Sequence, residues 1–231
     1  MTEPAGRLDA SGDGVFVVAV GRKGSGKSVL TRRLFDGYPY DKLVVDINGD
    51  IELPDGTVEL SGPPPMRLPL PNAEGDPQVF RYVPDASSPT WIDDMDRVVG
   101  LCYHHGRMVV WVDEMGVLTT ANASPPNTRR ALHTGRHARL SMLNCMPRPI
   151  AVDPLVMSQA DYVYIFDLPN PADRKRVANV VGFPPAEMDA AVAALPEFGY
   201  LRWDARAKEM AQFPPLPLRL REPSPPPGRR L

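Results

Sequence analysis

The sequence contains little cysteine, no excess of positive charge and no long apolar run. Its only cysteines are Cys102 and Cys145, and their spacing is not that of a metal site. We therefore expect two buried thiols in a reducing cytoplasm. No segment is long and apolar enough for a transmembrane helix, and the N-terminal residues lack the basic-then-apolar pattern of a signal peptide. These absences favour a cytoplasmic protein without stable membrane insertion.

Positive charge is not in excess either. The 231 residues carry a formal net charge of −2, which excludes a general basic coat for nucleic acid, so any contact with DNA must be local. The hydrophobic content of 43% and the charged content of 23% are typical of a soluble globular chain. The length corresponds to one α/β domain, or to one domain with a small appendage.

Proline, in contrast, is abundant. Many of its 28 residues lie in segment 61–71 and in segment 213–231. The first segment is expected to be irregular, and the second to be a disordered tail that cannot join a core. We therefore predict a flexible arm over residues 1–13, a folded domain over 14–212 and a Pro-rich tail over 213–231.

The clearest motif lies near the N-terminus. The apolar, β-branched run Val15–Val20 predicts a buried strand, and the stretch SVLTRRLF predicts a helix. Between them, GRKGSGKS fits G-x-x-x-x-G-K-[ST], a loop whose N–H groups cradle phosphates before a helix N-terminus. The motif predicts ATP as ligand, with Lys27 on its β and γ phosphates. The predicted nucleotide-binding residues are Gly21, Arg22, Lys23, Gly24, Ser25, Gly26, Lys27, Ser28 and Val29.

A second motif, MVVWVDE, places two carboxylates at the end of another predicted strand. Asp113 and the hydroxyl of Ser28 are the expected ligands of Mg²⁺, which keeps several waters and takes few protein ligands. Glu114 is the expected base for the water that attacks the γ phosphate. A water-activating glutamate favours hydrolysis over phosphoryl transfer to a metabolite, although a small-molecule kinase remains an alternative.

The remaining pattern alternates strands with helices, which predicts a mostly parallel sheet with helices on both faces. The expected strands are 15–20, 42–47, 78–84, 107–115, 139–146, 161–166 and 198–204. The expected helices are the one after the phosphate loop and 90–106, 128–138, 171–182 and 184–195. Two strands, 42–47 and 78–84, are predicted between the motifs. This arrangement resembles that of the P-loop ATPases with an additional strand and a catalytic glutamate.

The motifs GRKGSGKS and VVWVDE, followed by LHTGRHARLSMLNCMPRP and SQADYVYIFDLPNPADRKRVANVVG, occur in the order found in the FtsK/HerA superfamily. The chain resembles most the compact viral and phage DNA-packaging ATPases. This resemblance, which spans about residues 14–212, implies a three-layer RecA-like ATPase core. It also implies a homo-oligomeric ring, hexameric or pentameric, that pumps double-stranded DNA with a capsid or portal protein as a further partner. With only a short segment before the first strand, we expect a motor domain without the additional domains of larger relatives.

Site residues follow from the same resemblance. Arg136 of GRH corresponds to the arginine finger, the residue that reaches the γ phosphate of a neighbouring subunit, and Arg139, Arg129 and Arg130 are rivals for this role. The family shows Gln-Arg-Pro after the next strand, where this chain has Pro147 and then Arg148. A proline side chain cannot hydrogen-bond, so Asn144 is the expected substitute as sensor of the γ phosphate.

The sequence contains no motif that identifies the residues in contact with DNA. Arg129 and Arg130 adjoin small polar residues after Glu114 and are the expected phosphate contacts, with the Pro-rich tail as the next candidate. Alternative functions are an ATPase for virion assembly or export that does not pump DNA, and a nucleotide-gated interaction protein in which Pro147 marks a degenerate sensor.

Overall fold

The computed structural model describes residues 13–69 and 76–217 of the chain. The strands in these ranges are β1 (Phe16–Val20), β2 (Asp41–Val45), β3 (Val58–Leu60), β4 (Val79–Tyr82), β5 (Met108–Val112), β6 (Leu140–Met146), β7 (Tyr162–Ile165), β8 (Tyr200–Asp204) and β9 (Glu209–Phe213). The α-helices are α1 (Lys27–Asp36), α2 (Trp91–His105), α3 (Met115–Leu118), α4 (Pro126–Thr134), α5 (Pro154–Ser158), α6 (Pro171–Val181) and α7 (Pro185–Ala193), with a 3₁₀ helix at Pro149–Ala151.

The strands form one sheet in the order β3-β4-β2-β5-β6-β1-β7-β8-β9. Every pair from β3 to β7 is parallel, and β8 and β9 add two antiparallel strands at the end. The predicted mostly parallel α/β sheet is confirmed. Parallel strands begin at one edge of a sheet and end at the other. We call the edge where β1, β5, β6 and β7 end the carboxyl edge, and the opposite one the amino edge.

The identity of the additional strand differs from the prediction. The strands predicted at 42–47 and 78–84, now β2 and β4, lie between the motifs only along the chain. In the sheet they lie beyond β5, and the strand inserted between β1 and β5 is β6, which follows both motifs in sequence. A parallel connection has to cross over the sheet, so sequence order does not fix which strands become neighbours. The additional strand is therefore present but has a different identity.

The core lies on both faces of the sheet. One face packs against α1 through Leu30, Leu34 and Phe35, and the other is covered by α2 to α7. Among the described residues α1 is thus the only α-helix that contributes to the core on its face of the sheet, and the layers are helix, sheet and helices. Both cysteines are buried and free, as predicted, and burial raises the pKa of Cys145 to about 12.

Element boundaries differ from the predictions mainly around short elements. The pattern missed β3, α3, α5 and β9, and it extended β5 to residue 115, where α3 already begins. The helix expected at 128–138 begins at Pro126, and Gly135 caps its end as expected. Phe213, expected to start the tail, is the last residue of β9. The expected arm up to residue 12 and the tail from residue 218 lie outside the described residues.

Candidate nucleotide site

The predicted phosphate loop connects β1 to α1 at the carboxyl edge. Gly21 has φ 152° and Gly26 has φ 104°, backbone values that residues with side chains rarely adopt. A Cβ atom on Gly21 would lie 2.7 Å from both Cβ of Phe166 and Oγ of Ser25, so only glycine fits there. Helix α1 begins at Lys27, directly after this turn. Loop N–H groups and a helix N-terminus therefore converge, which is the arrangement that binds phosphate.

Lys27 is held inside this loop. Its side chain is nearly buried, with 8% of the residue exposed. Nζ donates hydrogen bonds to the carbonyl oxygens of Gly21 at 2.6 Å and of Arg22 at 2.9 Å. Burial lowers the pKa of Lys27, and the nearby carboxylates of Glu114 and Asp113 oppose this shift. The ammonium group is thus within electrostatic reach of both carboxylates and positioned to exchange carbonyl oxygens for phosphate oxygens.

The other positions of the loop differ in what they contact. Arg22 forms an ion pair with Asp167, which follows β7, and its N–H donates to the carbonyl oxygen of Asp167 at 2.8 Å. Ser25 is buried, and its Oγ has no hydrogen-bond partner in the described part of the chain. Lys23 and Val29 are exposed at the surface. The loop is therefore tied to β7 on one side and open on the other.

Asp113 and Glu114 follow β5 at the same edge, as predicted. Both are half-buried, and burial is the main cause of the raised pKa of each carboxyl group. Asp46 and Asp50 raise the pKa of Asp113 further, and Lys27 acts in the opposite direction. For Glu114 the second cause of the raised pKa is the charge of Asp113. The lysine of the first motif and the carboxylates of the second therefore form one electrostatic cluster.

This cluster fits a hydrated magnesium ion. The described residues contain no group of three or more His, Cys, Asp and Glu side chains that could cage a metal. Magnesium needs no such cage, because it keeps several waters and uses one or two carboxylates together with phosphate oxygens. Asp113 lies in an acidic surrounding that a cation would relieve. Ser28 is exposed in the first turn of α1, beside the lysine of the phosphate loop.

Asp46 also belongs to the site, although no motif of the sequence predicted a role for it. It follows β2, is fully buried, and forms an ion pair with Arg81 of β4 at 2.5 Å. Its carboxylate also accepts hydrogen bonds from the N–H groups of residues 49–51. The loop after β2 is thereby fixed close to Asp113. Two features of the sequence could have indicated this ion pair: a carboxylate directly after one apolar strand, and an arginine inside the next apolar strand.

Asn144 lies inside β6, where it is paired with Val18 of β1 and Val112 of β5. It is buried, and neither its Oδ1 nor its Nδ2 has a hydrogen-bond partner among the described residues. Because strand residues alternate, Asn144 shares the face of Met142 and Met146, opposite α1. An unpaired buried amide is costly, which is consistent with a functional reason for keeping it.

The residues after β6 lie at the carboxyl edge too. Pro147 comes directly after the strand, and Arg148 is exposed and pairs with the buried carboxylate of Asp173 at 3.2 Å. The N–H of Ile150 donates to the same carboxylate at 3.0 Å. Arg148 thus fastens the loop to α6 and does not pair with the carboxylates of the nucleotide site.

Arg136 and Arg139 lie at the opposite end of the sheet. The guanidinium group of Arg136 donates to Asp161 and to the carbonyl oxygen of Gln159, and its Cζ lies 4.4 Å from the centre of the Phe16 ring. Phe16 begins β1 and Asp161 precedes β7, so this is the amino edge. Arg139 is exposed there with φ 57°. The structure therefore separates both arginines from the phosphate loop of their own chain.

The predicted DNA contacts, Arg129 and Arg130, are exposed on α4. The first turn of this helix is fastened to α2, since the carboxylate of Asp96 accepts hydrogen bonds from both N and Oγ1 of Thr128 at 2.7 Å. Arg130 also lies over the ring of Tyr103 of α2, with Cζ 4.4 Å from its centre. Arg129 makes no ion pair with any described residue. The two arginines are thus surface charges on a firmly held helix.

Two solved structures with the same fold are viral proteins. The genome packaging NTPase B204 from Sulfolobus turreted icosahedral virus 2, in complex with AMP, aligns with a TM-score of 0.66 and 22% identity over 89% of this chain and 99% of that chain. B204 from Sulfolobus turreted icosahedral virus, described as the DNA-packaging ATPase, aligns with a TM-score of 0.64 and 19% identity over 89% and 98%. The chain has the fold of a viral genome-packaging NTPase. The resemblance predicted from the sequence is confirmed at the level of the fold.

A more distant similarity concerns a conjugation coupling protein. The pCW3 conjugation coupling protein TcpA, solved with ATPγS, aligns with a TM-score of 0.56 and 13% identity over 87% of this chain and 60% of that chain. No protein-family model matches the chain, and no curated protein matches it either. None of the described helices has the length and apolar character needed to span a membrane.

Proposed function

We propose that the chain is an ATP-hydrolysing, ring-forming motor that translocates double-stranded DNA and packages a viral or prophage genome. The observation that carries this proposal is the cluster of Lys27, Asp113 and Glu114 at the carboxyl edge of the sheet. It combines a phosphate-binding lysine, a carboxylate suited to magnesium and a carboxylate suited to activating water. The fold shared with the packaging NTPase B204 supports genome packaging as the use of this chemistry.

The residues of the site divide the work of hydrolysis. The loop N–H groups and Lys27 bind and orient the β and γ phosphates, and the charge of Lys27 stabilises the charge that develops in the transition state. Glu114 orients a water against the γ phosphate and accepts its proton. A magnesium ion held by Asp113 and Ser28 would supply further charge neutralisation on the β and γ oxygens. Asn144, two residues before the end of β6, is the proposed sensor of the γ phosphate.

Ring formation would complete the site. The amino edge, which carries Arg136 and Arg139, is opposite the edge that carries the phosphate loop. A head-to-tail ring is a heterologous assembly that brings different surfaces of neighbouring subunits together, so an arginine from one amino edge can serve the nucleotide of the next subunit. We therefore keep Arg136 as the proposed finger, with Arg139 as the alternative. A hexamer or a pentamer satisfies this geometry.

We further propose duplex DNA as the cargo, a capsid or portal protein as partner, and the host cytoplasm or a procapsid vertex as the place of action. The deciding experiment is a steady-state ATPase assay with and without duplex DNA. Hydrolysis that DNA stimulates supports the motor. Hydrolysis that DNA leaves unchanged favours virion assembly or export, and nucleotide binding without hydrolysis favours a nucleotide-gated interaction protein. Phosphate transfer to a small molecule in place of water would identify a kinase.

The Glu114→Gln variant should bind ATP and magnesium but hydrolyse at least about a hundredfold more slowly, because an amide cannot accept the proton of the attacking water. Single-turnover hydrolysis and equilibrium binding of ATP separate the two effects. The control is Glu209→Gln, a change of the same chemistry at an exposed position of β9. Normal turnover in Glu114→Gln combined with loss in Asp113→Asn would place the base elsewhere.

The double variant Arg129→Ala/Arg130→Ala should retain hydrolysis without DNA but lose its stimulation by DNA. Contacts to phosphates release counterions, so the slope of log affinity against log salt should become shallower by about two units. The measurement is DNA binding by anisotropy across a series of salt concentrations. The matched control is Arg206→Ala/Lys208→Ala, which removes two exposed charges from the turn between β8 and β9. An unchanged slope in the α4 variant would move the DNA contact elsewhere, first to the Pro-rich tail.

A further inference from the structure

A large aromatic side chain stands exposed beside the phosphate loop. Phe198 lies in the segment between α7 and β8 and is 50% exposed, whereas most other phenylalanines of the described chain are buried. A Cβ atom placed on Gly26 would lie 3.9 Å from Cδ1 of Phe198 and 3.3 Å from Cε1 of Phe166. The two rings therefore border the loop directly before Lys27. Phe166 is buried beneath it, and Phe198 faces solvent.

The backbone of Phe198 is also unusual. Its φ is 58°, in the left-handed region, which is an outlier for a bulky residue. The residue occupies the third position of a turn that the N–H of Gly199 closes onto the carbonyl oxygen of Pro196 at 2.8 Å. Turns with this φ at the third position ordinarily carry glycine there. The chain thus holds a phenylalanine where glycine would fit better, and the ring gains little burial in return.

The position relative to the strands indicates what the ring can do. In the sheet, Leu201 of β8 pairs with Ile165 of β7, so the start of β8 lies level with the end of β7. Residue 198 therefore lies at the carboxyl edge, next to the strand that neighbours β1. A nucleoside attached to phosphates in the loop has to extend over the rim of this edge. An exposed aromatic face at that rim is suited to stack on a base.

We infer that Phe198 is the stacking platform for the base of the nucleotide bound in the phosphate loop. The inference rests on the proposed function, because it assumes that the loop binds a nucleoside triphosphate. It adds a recognition element for the nucleoside, which the two sequence motifs lack. Strain in the turn is then the cost of presenting the ring, as is common at ligand-binding sites.

The test compares Phe198→Gly with the unaltered full-length chain. Glycine relieves the left-handed strain, so the midpoint of thermal unfolding should stay unchanged or rise. The affinity for ATP should nevertheless fall about tenfold, the size expected for one lost base–aromatic stack. Affinity for inorganic tripolyphosphate, which has no base, should not change. Phe198→Tyr should restore ATP affinity, and Ile92→Ala, an exposed apolar residue on α2, is the control.

The outcomes separate this inference from the proposed function. Failure of the unaltered chain to bind either ATP or tripolyphosphate would overturn the proposed function. Tight ATP binding that Phe198→Gly leaves unchanged would overturn only the platform. Equal weakening of ATP and tripolyphosphate would also overturn it, because Phe198 would then act through the shape of the loop. A lower unfolding midpoint with unchanged ATP affinity would show a purely structural role.

Discussion

Replacing Lys27 by alanine is expected to remove most ATP binding and essentially all turnover. Among the described residues, the ammonium group of Lys27 is the only basic side-chain group that donates hydrogen bonds inside the phosphate loop, to the carbonyl oxygens of Gly21 and Arg22. Its burial makes the charge effective, because little water is available to screen it. In the proposed mechanism the same charge neutralises the β and γ oxygens during hydrolysis. Binding of a fluorescent ATP analogue and steady-state hydrolysis measure the two losses.

Lys23→Ala is the matched control for this variant. Lys23 belongs to the same loop, where its expected contact with phosphate is through the backbone N–H, which alanine keeps. Its side chain is exposed and solvent screens its charge, so Lys23→Ala should change ATP affinity only slightly. Thermal unfolding should show that both variants remain folded. If Lys27→Ala hydrolysed ATP like the unaltered chain, GRKGSGKS would not be the nucleotide site, and the proposed function would fail with it.

The sequence predicted elements best where an apolar strand, or the apolar face of a helix, is long enough to form a clear pattern. The run Val15–Val20 and the apolar face of α2 predicted buried elements, and Met95, Val98, Val99 and Cys102 are indeed fully buried. Short elements could not be predicted, because the three residues of β3 and the four of α3 are too few to show the spacing of apolar residues that marks a strand or a helix. The identity of the inserted strand was also beyond the sequence, since it depends on crossover connections and not on local pattern.

The same distinction holds for the candidate site. Lys27, Asp113 and Glu114 were predictable because each belongs to a local motif. The pair of Asp46, which follows β2, and Arg81 of β4 was not predictable, because their contact exists only in the folded sheet. The candidate arginine fingers show most clearly that the sequence does not give the position of a residue in the fold. The sequence nominated four of them, and only the structure separates an amino-edge pair from the pair on α4.

Arg136→Ala is expected to bind ATP normally but to hydrolyse it about a thousandfold more slowly or worse, the loss typical of a missing arginine finger. The guanidinium group is pre-oriented by Asp161 and by the carbonyl oxygen of Gln159, and 33% of the side chain stays exposed. It cannot serve its own site. The five residues of β1 separate the two edges by about 16 Å, at about 3.3 Å per residue.

Mixing the Arg136→Ala and Glu114→Gln variants tests whether Arg136 acts on the nucleotide site of a neighbouring subunit. In the proposed ring, subunits with Arg136→Ala retain Glu114 and subunits with Glu114→Gln retain Arg136, so mixed assemblies would contain some interfaces with both groups intact. Activity should therefore reappear on mixing two preparations that are each inactive. Arg139→Ala is the control at the same edge, and since its side chain is exposed the fold should tolerate the change. Rescue confined to mixtures with Arg139→Ala would make Arg139 the finger. If no arginine variant is rescued, and the chain remains monomeric with ATP, neither arginine acts across an interface, because no ring then exists in which one subunit completes the site of the next.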